Sequence, residues 1–202
     1  MGCTITVDGS GLIPDIARSG GAVYMSEKEK YRKMWEFEEY RQVAPGEKIV
    51  ERFMKVAQPI RGAKITDFGC GTGRGALALR EAGLYPRLVD FVANSRDTEA
   101  MQMPFVKADL TTPYGFCTDV MEHLPTDKVD DAIKNIMDKV DFCFFQIAHF
   151  EDSLGVLIEQ TLHLTVKPFD WWLDKFCALG FSLRHAKTDG PTSTFLVTHS
   201  TT

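Results

Sequence analysis

The chain has 202 residues, of which 44% are apolar and 11% aromatic, and its formal net charge is −5 at pH 7. This length and composition predict one folded domain with an ordinary buried core, and they exclude a disordered chain. The negative charge argues against binding of duplex nucleic acid through a global positive field. The sequence has no run of about 18 apolar residues and no secretory leader pattern, so we expect a cytoplasmic protein without a membrane contact.

The N-terminal part of the chain, residues 1–58, is predicted to be an arm followed by a helical lid. The arm is rich in glycine and small polar residues and shows no sustained period. Ser26 and Glu29 then form a capping-box signature, which predicts an amphipathic helix that ends before Pro45. A second helix is predicted at 47–57. We expect the lid to form one structural domain with the rest of the chain.

Over residues 59–202 strand and helix patterns alternate, which is typical of a parallel α/β sheet. The predicted strands are short apolar runs at 64–68, 87–91, 104–108, 115–119, 140–147, 182–187 and 193–198. The predicted helices lie at 73–82, 96–101, 126–139, 153–160 and 169–179. The gap at 109–114 is too short for a helix and is predicted to be a loop. The sequence therefore predicts an α/β sandwich around a central sheet.

The most informative segment is a glycine-rich loop between the first predicted strand and the first helix after it. Gly69, Gly71 and Gly73 are evenly spaced there, and glycine lets the backbone turn tightly and approach a ligand closely. Asp67 ends the strand before the loop. Asp90 ends the next strand, where a carboxylate can accept both hydroxyl groups of a ribose. The loop also satisfies the dinucleotide pattern G-x-G-x-x-G/A, so nicotinamide or flavin binding is an alternative.

An acidic residue two positions before three evenly spaced glycines resembles the pattern of class I methyltransferases that use S-adenosylmethionine. The resemblance covers roughly residues 60–199, and the passage at 40–47 resembles compact members encoded by bacteriophages. It implies a Rossmann-like three-layer sandwich whose seven-stranded, mostly parallel sheet has an antiparallel last strand. It also implies that 59–202 is the domain that binds S-adenosylmethionine. The implied cofactor-binding residues are Asp67, Gly69, Cys70, Gly71, Gly73, Asp90, Phe91, Asp109, Leu110 and Asp119.

The resemblance implies that the protein positions an acceptor atom for attack on a methyl group, and a base is needed only if that atom carries a proton. His123 and His149 are the candidate catalytic residues, because imidazole titrates near neutrality. Asp119, Glu122 and His123 also resemble the acidic-x-x-Glu-His metal site of some O-methyltransferases, with His149 or His163 downstream. Magnesium or manganese would activate a hydroxyl there. This alternative stays open, and no metal is included among the expected cofactors.

The segment after the fourth strand also bears on the acceptor. It lacks the Pro-Pro-aromatic motif of amino-methyltransferases that act on DNA bases, and the chain contains no Pro-Cys pair of the kind that cytosine-carbon methyltransferases use. We therefore expect a small-molecule acceptor. Two alternatives remain: methylation of RNA or DNA outside these motifs, and a protein that binds S-adenosylmethionine without transferring a methyl group. The sequence makes no prediction of the oligomeric state.

Overall fold

A computed structural model describes residues 25–43, 45–92, 95–105 and 112–200. Its strands are β1 (Lys64–Phe68), β2 (Tyr85–Val89), β3 (Thr112–Thr118), β4 (Val140–Ala148), β5 (Phe181–Asp189) and β6 (Thr192–His199). They form one sheet in the order β2-β1-β3-β4-β6-β5. The first four strands pair in parallel, and β6 runs antiparallel to both of its neighbours. The predicted Rossmann-like sheet with an antiparallel last strand is confirmed.

The helices cover both faces of the sheet or pack at its carboxyl edge. They are α1 (Glu27–Met34), α2 (Glu38–Arg41), α3 (Pro45–Ala57), α4 (Arg74–Glu81), α5 (Val129–Met137) and α6 (Phe169–Ala178). Within the predicted helices at 96–101 and 153–160 the described chain has only 3-10 turns, Ala100–Gln102 and Leu154–Ile158. The second of these closes tightly, because the backbone N–H of Gln160 donates to the Gly155 carbonyl. Among the described residues no helix is long and apolar enough to cross a bilayer.

Strand β4 shows why the fold has three layers. Its sequence is almost continuously apolar. Seven of its nine residues are buried, namely Val140 and the six residues from Cys143 to Ala148. Successive side chains of a strand point to opposite faces, so Phe144 packs with α3 while Phe145 packs with α6. On the α3 side Phe53 lies 5.7 Å from Phe144, and on the other side Phe176 lies 5.1 Å from Phe145, measured between ring centroids. A sheet buried on both faces is thereby enclosed between two helical layers.

The described residues form six strands, one fewer than the seven predicted. Only Pro104 and Phe105 of the third predicted strand, at 104–108, are described, and a single parallel bridge joins Phe105 to Leu88 of β2. The Leu88 backbone N–H donates to the Pro104 carbonyl, but Pro104 has no N–H to give to the ladder. Residues 106–111 lie outside the described ranges. The predicted loop at 109–114 is also partly wrong, because β3 already begins at Thr112.

The first N-terminal helix is shorter than its sequence pattern predicts. The capping box is confirmed, since Ser26 and Glu29 bond each other's backbone N–H groups, but the helix ends at Met34. Phe37 then adopts an extended conformation before α2 begins. On one continuous helix Tyr40 would point to the side opposite Tyr31, because nine positions correspond to about 180° of rotation. The break lets Tyr40 pack in one cluster with Tyr31, Met34 and Phe37.

Helix α1 docks on the connection between β4 and α6 through a buried lysine. Lys30 is only 2% exposed, its Nζ donates to the Thr161 carbonyl at 3.0 Å, and it pairs with Glu27 at 2.6 Å. A buried ammonium group requires such partners, because leaving it unpaired would be very costly. The docking therefore fixes α1 over the carboxyl edge of the sheet. The predicted N-terminal arm, residues 1–24, lies outside the described ranges, and the domain boundary at 58/59 stays a prediction.

Candidate functional site

The glycine-rich loop connects β1 to α4 and has the tight geometry that its sequence predicts. Gly69, Gly71 and Gly73 have φ angles of +70°, +50° and +81°, the left-handed region that side chains with a Cβ avoid. Space is short as well. A Cβ on Gly69 would lie 2.4 Å from Val120 Cγ2, and one on Gly73 would lie 2.4 Å from Ala100 Cβ. Only glycine therefore fits at positions 69 and 73 without moving the neighbouring side chains.

Replacing Gly73 by alanine tests that close packing against a matched control. Gly180 has nearly the same backbone, with φ of +85°, but no atom lies within 4 Å of its added Cβ. Gly180→Ala should lower the unfolding free energy by about 1–2 kcal/mol, because alanine is strained in a left-handed backbone conformation. Gly73→Ala should lose a further amount of about 1–3 kcal/mol, because its methyl group meets Ala100. Urea unfolding of the two variants measures the difference, and equal losses would contradict the packing argument.

Asp90 follows β2 and braces the glycine loop. Its two carboxylate oxygens accept the backbone N–H groups of Gly71 at 2.9 Å and Val92 at 3.0 Å. Burial raises the pKa of Asp90, and these backbone hydrogen bonds oppose the rise. Phe91, which follows it, is 55% exposed and meets the Tyr31 ring edge to face at 5.5 Å. The acidic group predicted to bind a ribose therefore lies directly beside the loop.

Asp67, at the end of β1, is a buried carboxyl group behind the same loop. It is 3% exposed and accepts a hydrogen bond from the backbone of Ala76, while burial and then the charge of Asp90 raise its pKa to about 7. Cys70 is also buried, which raises the pKa of its thiol far above the neutral range. Cys70 therefore acts as an apolar wall of the loop and not as a thiolate nucleophile.

Asp119 lies at the end of β3 and takes a left-handed backbone with φ of +54°, which is rare for a residue other than glycine. Gln146 of β4 holds it by donating from Nε2 to Asp119 Oδ2 at 2.7 Å. Burial raises the pKa of Asp119 to about 6, and the bond from Gln146 opposes the rise. A buried polar residue of β4 thus positions a carboxylate at the carboxyl edge of the sheet.

Two adjoining cavities of about 520 and 220 Å³ open over this edge. Gly69, Gly71, Asp119 and His123 line both of them. The N-terminal helices form their roof, with Trp35 so close to the loop that a Cβ on Gly71 would lie 3.0 Å from its ring. The two cavities thus share a common wall, and Trp35 stands where they meet.

The described walls of both cavities are acidic and aromatic. No lysine or arginine lines either cavity in the part of the chain that the structure describes. Their carboxyl groups belong to Glu27, Glu47, Asp67, Asp90, Asp119 and Asp152. Such walls favour a ligand that carries positive charge and disfavour a polyanion.

A cluster of two histidines and a glutamate adjoins the larger cavity. Atoms of Glu122, His123 and His163 that could bind a ligand lie within 4.8 Å of one another. His123 Nδ1 lies 2.7 Å from the Tyr31 hydroxyl oxygen, and burial followed by the charge of His163 lowers the pKa of His123 to about 3. Burial and the charge of Asp119 raise the pKa of Glu122 well above its usual range. A proton acceptor and a metal ligand would both need the unprotonated nitrogen that His123 offers.

The architecture is shared with solved structures of methyltransferases. Magnesium protoporphyrin IX methyltransferase from Synechocystis PCC 6803, with bound SAH, is similar with a TM-score of 0.62 and 16% identity, over 85% of this chain and 93% of that chain. The DhpI–SAH complex gives a TM-score of 0.64 at 12% identity, over 85% and 95% of the two chains. A TehB-like SAM-dependent methyltransferase from Corynebacterium glutamicum gives 0.58 at 18%, over 86% and 98%. This chain has the class I methyltransferase fold. No protein-family model and no curated protein matches its sequence.

Within the methyltransferase fold most of the predicted site residues meet at one edge of the sheet. The larger cavity is lined by Asp67, Gly69, Cys70, Gly71, Asp119 and His123, and the smaller one also by Asp90 and Phe91. Gly73 packs behind the loop, and His149 lines neither cavity. Asp109 and Leu110 lie outside the described residues. The roles of all these residues in binding and catalysis stay predictions.

The sequence did not single out three residues that the methyltransferase fold brings to this site. Tyr31 belongs to the N-terminal helix α1, and its hydroxyl group contacts His123. Gln146 holds Asp119, and its signal was a lone amide in the apolar strand β4. Asp152 lines the larger cavity from the connection after β4, and its side chain accepts the backbone N–H of Gly155 at 2.6 Å. No periodicity marks that position.

Proposed function

We propose that this protein is an enzyme that transfers a methyl group from S-adenosylmethionine to a small-molecule acceptor. The observation that carries the proposal is the contact of Asp90 with the glycine loop at the mouth of two joined cavities. The carboxylate is held by Gly71 and Val92 at a place where it can accept the ribose hydroxyls of a nucleoside. Similar folds solved with bound SAM or SAH support this choice of cofactor. The cofactor contacts predicted for Asp109 and Leu110 are part of the proposal.

The enzyme's own task in this reaction is to align two reactants and to keep water away. When bound, the cofactor supplies a methyl group on a positively charged sulfur, so the chemistry needs little beyond positioning. A lone pair of the acceptor forms the new bond to the methyl carbon while the carbon–sulfur bond breaks and its electrons stay on sulfur. A proton lost by the acceptor passes to water at the cavity mouth. A direct role of His123 or His149 as the base stays a prediction from the sequence.

The charge of the cavity walls favours a small molecule over a nucleic acid. Six carboxyl groups line the described walls, so a phosphate backbone would approach against repulsion. The sulfonium and ammonium groups of the cofactor are positively charged and are therefore attracted to these acidic walls. Methylation of RNA or DNA is therefore the weaker alternative.

We also propose a cytoplasmic location. The described chain has free thiols at Cys70, Cys117, Cys143 and Cys177, of which the first three are buried. Thiols of this kind suit a reducing compartment, where they behave as small apolar side chains. Exposure of the folded protein to oxidised glutathione, followed by mass spectrometry, should modify Cys177 ahead of the other three.

Transfer of a labelled methyl group tests the proposed activity directly. The purified protein is incubated with S-adenosylmethionine labelled in its methyl group and with separate small-molecule, nucleic-acid and protein fractions of a cell extract. We expect label in the small-molecule fraction, and none when the protein is omitted. Label confined to the nucleic-acid fraction would replace the proposed acceptor class. Cofactor binding without transfer to any fraction would favour the non-catalytic alternative.

A further inference from the structure

The cluster of Glu122, His123 and His163 has features that neither the fold nor the cofactor requires. Glu122 is fully buried, its Oε1 accepts the backbone N–H of Ala148 at 3.0 Å, and its Oε2 has no hydrogen-bond partner among the described residues. A buried carboxyl oxygen without a partner is costly and calls for an explanation. The imidazole rings of His123 and His163, whose centroids lie 4.6 Å apart, offer nitrogen atoms close to this carboxyl group.

We assign the proton of each imidazole ring from the hydrogen bonds of its Nδ1 atom. His163 Nδ1 lies 2.6 Å from the Phe150 carbonyl oxygen, which can only accept, so we assign the proton to Nδ1 and a lone pair to Nε2. His123 Nδ1 lies 2.7 Å from the Tyr31 oxygen and 3.2 Å from the Leu162 carbonyl oxygen. If His123 Nδ1 donates to the Tyr31 oxygen and the Tyr31 hydroxyl donates to the Leu162 carbonyl oxygen, each of these hydrogens has an acceptor. Both Nε2 atoms are then free to bind a ligand.

The backbone holds the three side chains together. The carbonyl oxygen of Glu122 accepts the N–H groups of both Leu164 and Thr165 at 2.8 Å. These bonds tie the 3-10 turn Met121–His123 to the segment that carries His163. The arrangement is therefore supported by main-chain contacts and does not depend on side-chain packing alone.

We propose that Glu122, His123 and His163 bind a divalent first-row transition-metal cation. Three atoms no more than 4.8 Å apart share a centre at most about 2.8 Å from each, and metal bonds to imidazole and carboxylate are about 2.0–2.2 Å long. A shift of at most about 0.8 Å in each ligand atom closes the difference. The other polar atom of each ligand already has a protein partner, as is usual around metal sites.

The donor set selects the class of metal. Two imidazole nitrogens and one carboxylate oxygen suit zinc, manganese, iron or cobalt, whereas magnesium and calcium prefer oxygen ligands throughout. Asp119, which the sequence pattern grouped with Glu122 and His123, is not part of the cluster and instead bonds to Gln146. His163 takes its place, and His149 is not a member of the cluster either.

The position of the cluster suggests what the cation does, a step that rests on the proposed function. His123 and His163 line the larger cavity, so the unfilled coordination positions face the acceptor. A bound cation there lowers the pKa of a coordinated hydroxyl group, whose proton then leaves to water. We infer that the acceptor presents a hydroxyl oxygen for methylation.

Cobalt titration tests the site without reference to activity. The untagged full-length protein is titrated with Co²⁺ and followed by visible absorption, and zinc is then added as a competitor. We expect one equivalent to bind. His163→Ala and Glu122→Gln should each weaken binding at least about a hundredfold, because loss of outer partners alone costs 10–100-fold. His185→Ala is the matched control, since His185 bonds Thr194 on β6 outside the cluster and should leave the titration unchanged.

Tyr31→Phe examines the positioning of His123, because it removes one hydroxyl group and keeps the ring. Cobalt affinity should fall about 10–100-fold while the ligands themselves stay in place. Circular dichroism confirms folding of each variant, and SAH binding by calorimetry is measured on the same samples. Wild-type protein that binds SAH but neither cobalt nor zinc overturns the metal site alone. Binding of cobalt that persists in His163→Ala also overturns it, whereas cobalt binding without SAH binding supports the site and contradicts the proposed function.

Discussion

Asp90→Ala should weaken binding of S-adenosylmethionine and of S-adenosylhomocysteine at least about a hundredfold. Two hydrogen bonds from ribose hydroxyls to a charged carboxylate contribute about 1.5–3 kcal/mol each, and both are lost. The substitution also leaves the backbone N–H groups of Gly71 and Val92 without their acceptor, which loosens the loop. Calorimetric titration of wild-type and variant protein measures the loss. This pair of titrations is also the most direct test of the cofactor.

Two further variants separate ligand binding from folding. Asp90→Asn keeps the side-chain shape and can still accept one hydrogen bond, so its affinity should fall between those of the wild type and the alanine variant. Asp141→Asn removes a carboxylate from an exposed position on β4 and should bind like the wild type. If folded wild-type protein bound neither ligand, or if Asp90→Ala bound both normally, the cofactor assignment would be wrong. The dinucleotide alternative would then be tested with the same protein.

Asp67→Asn should stabilise the ligand-free protein at pH 8 by up to about 4 kcal/mol. Burial raises the pKa of Asp67 from 3.8 to about 7, and each pKa unit corresponds to about 1.4 kcal/mol. The folded protein then holds a proton between pH 4 and 7 that the unfolded chain has already released. The stability from this group is present below pH 4 and is lost as the pH rises to 7. Asparagine has no charge to bury, so its advantage grows with pH.

Urea unfolding at pH 5 and pH 8 measures this effect. The difference in unfolding free energy between Asp67→Asn and the wild type should be larger at pH 8, where the wild-type carboxyl is ionised. Asp141→Asn is again the control and should show no such trend, because that side chain is exposed. An Asp67→Asn variant that is equally or less stable than the wild type at pH 8 would show that bound water or a neighbouring cation compensates the buried charge.

The sheet could be predicted from the sequence because its strands are short apolar runs bounded by turns. Strand β4, for example, is buried on both faces and is recognisable from composition alone. Only Pro104 and Phe105 of the third predicted strand are described, and Phe105 makes a single bridge with Leu88. The pairing of a strand depends on its neighbours, which local propensity does not specify.

The cofactor loop was predictable for a different reason. Close approach of a backbone to a ligand requires glycine, so Gly69, Gly71 and Gly73 carry a local signal. The histidine cluster carries only part of such a signal, because the spacing of Glu122 and His123 is local but does not choose between His149 and His163 as the third member. His123 and its partner Tyr31 are 92 positions apart, and the contacts exist only once helix α1 has docked. Long-range side-chain contacts of this kind leave no period or spacing in the sequence.

The docking of Lys30 on Thr161 has a consequence for the order in which the molecule assembles. A helix of eight residues such as α1 is marginal in water on its own, and its partner carbonyl lies 131 positions further along the chain. A growing polypeptide therefore exposes Tyr31 and Met34 well before the surface that covers them has been synthesised. Strands β1 to β4 precede Thr161 in the chain and pair at shorter separations, so this part of the sheet can form before the roof of the cavities closes. Newly made chains should thus pass through a stage with a partly formed sheet and an open site, when chaperones have access to these apolar side chains.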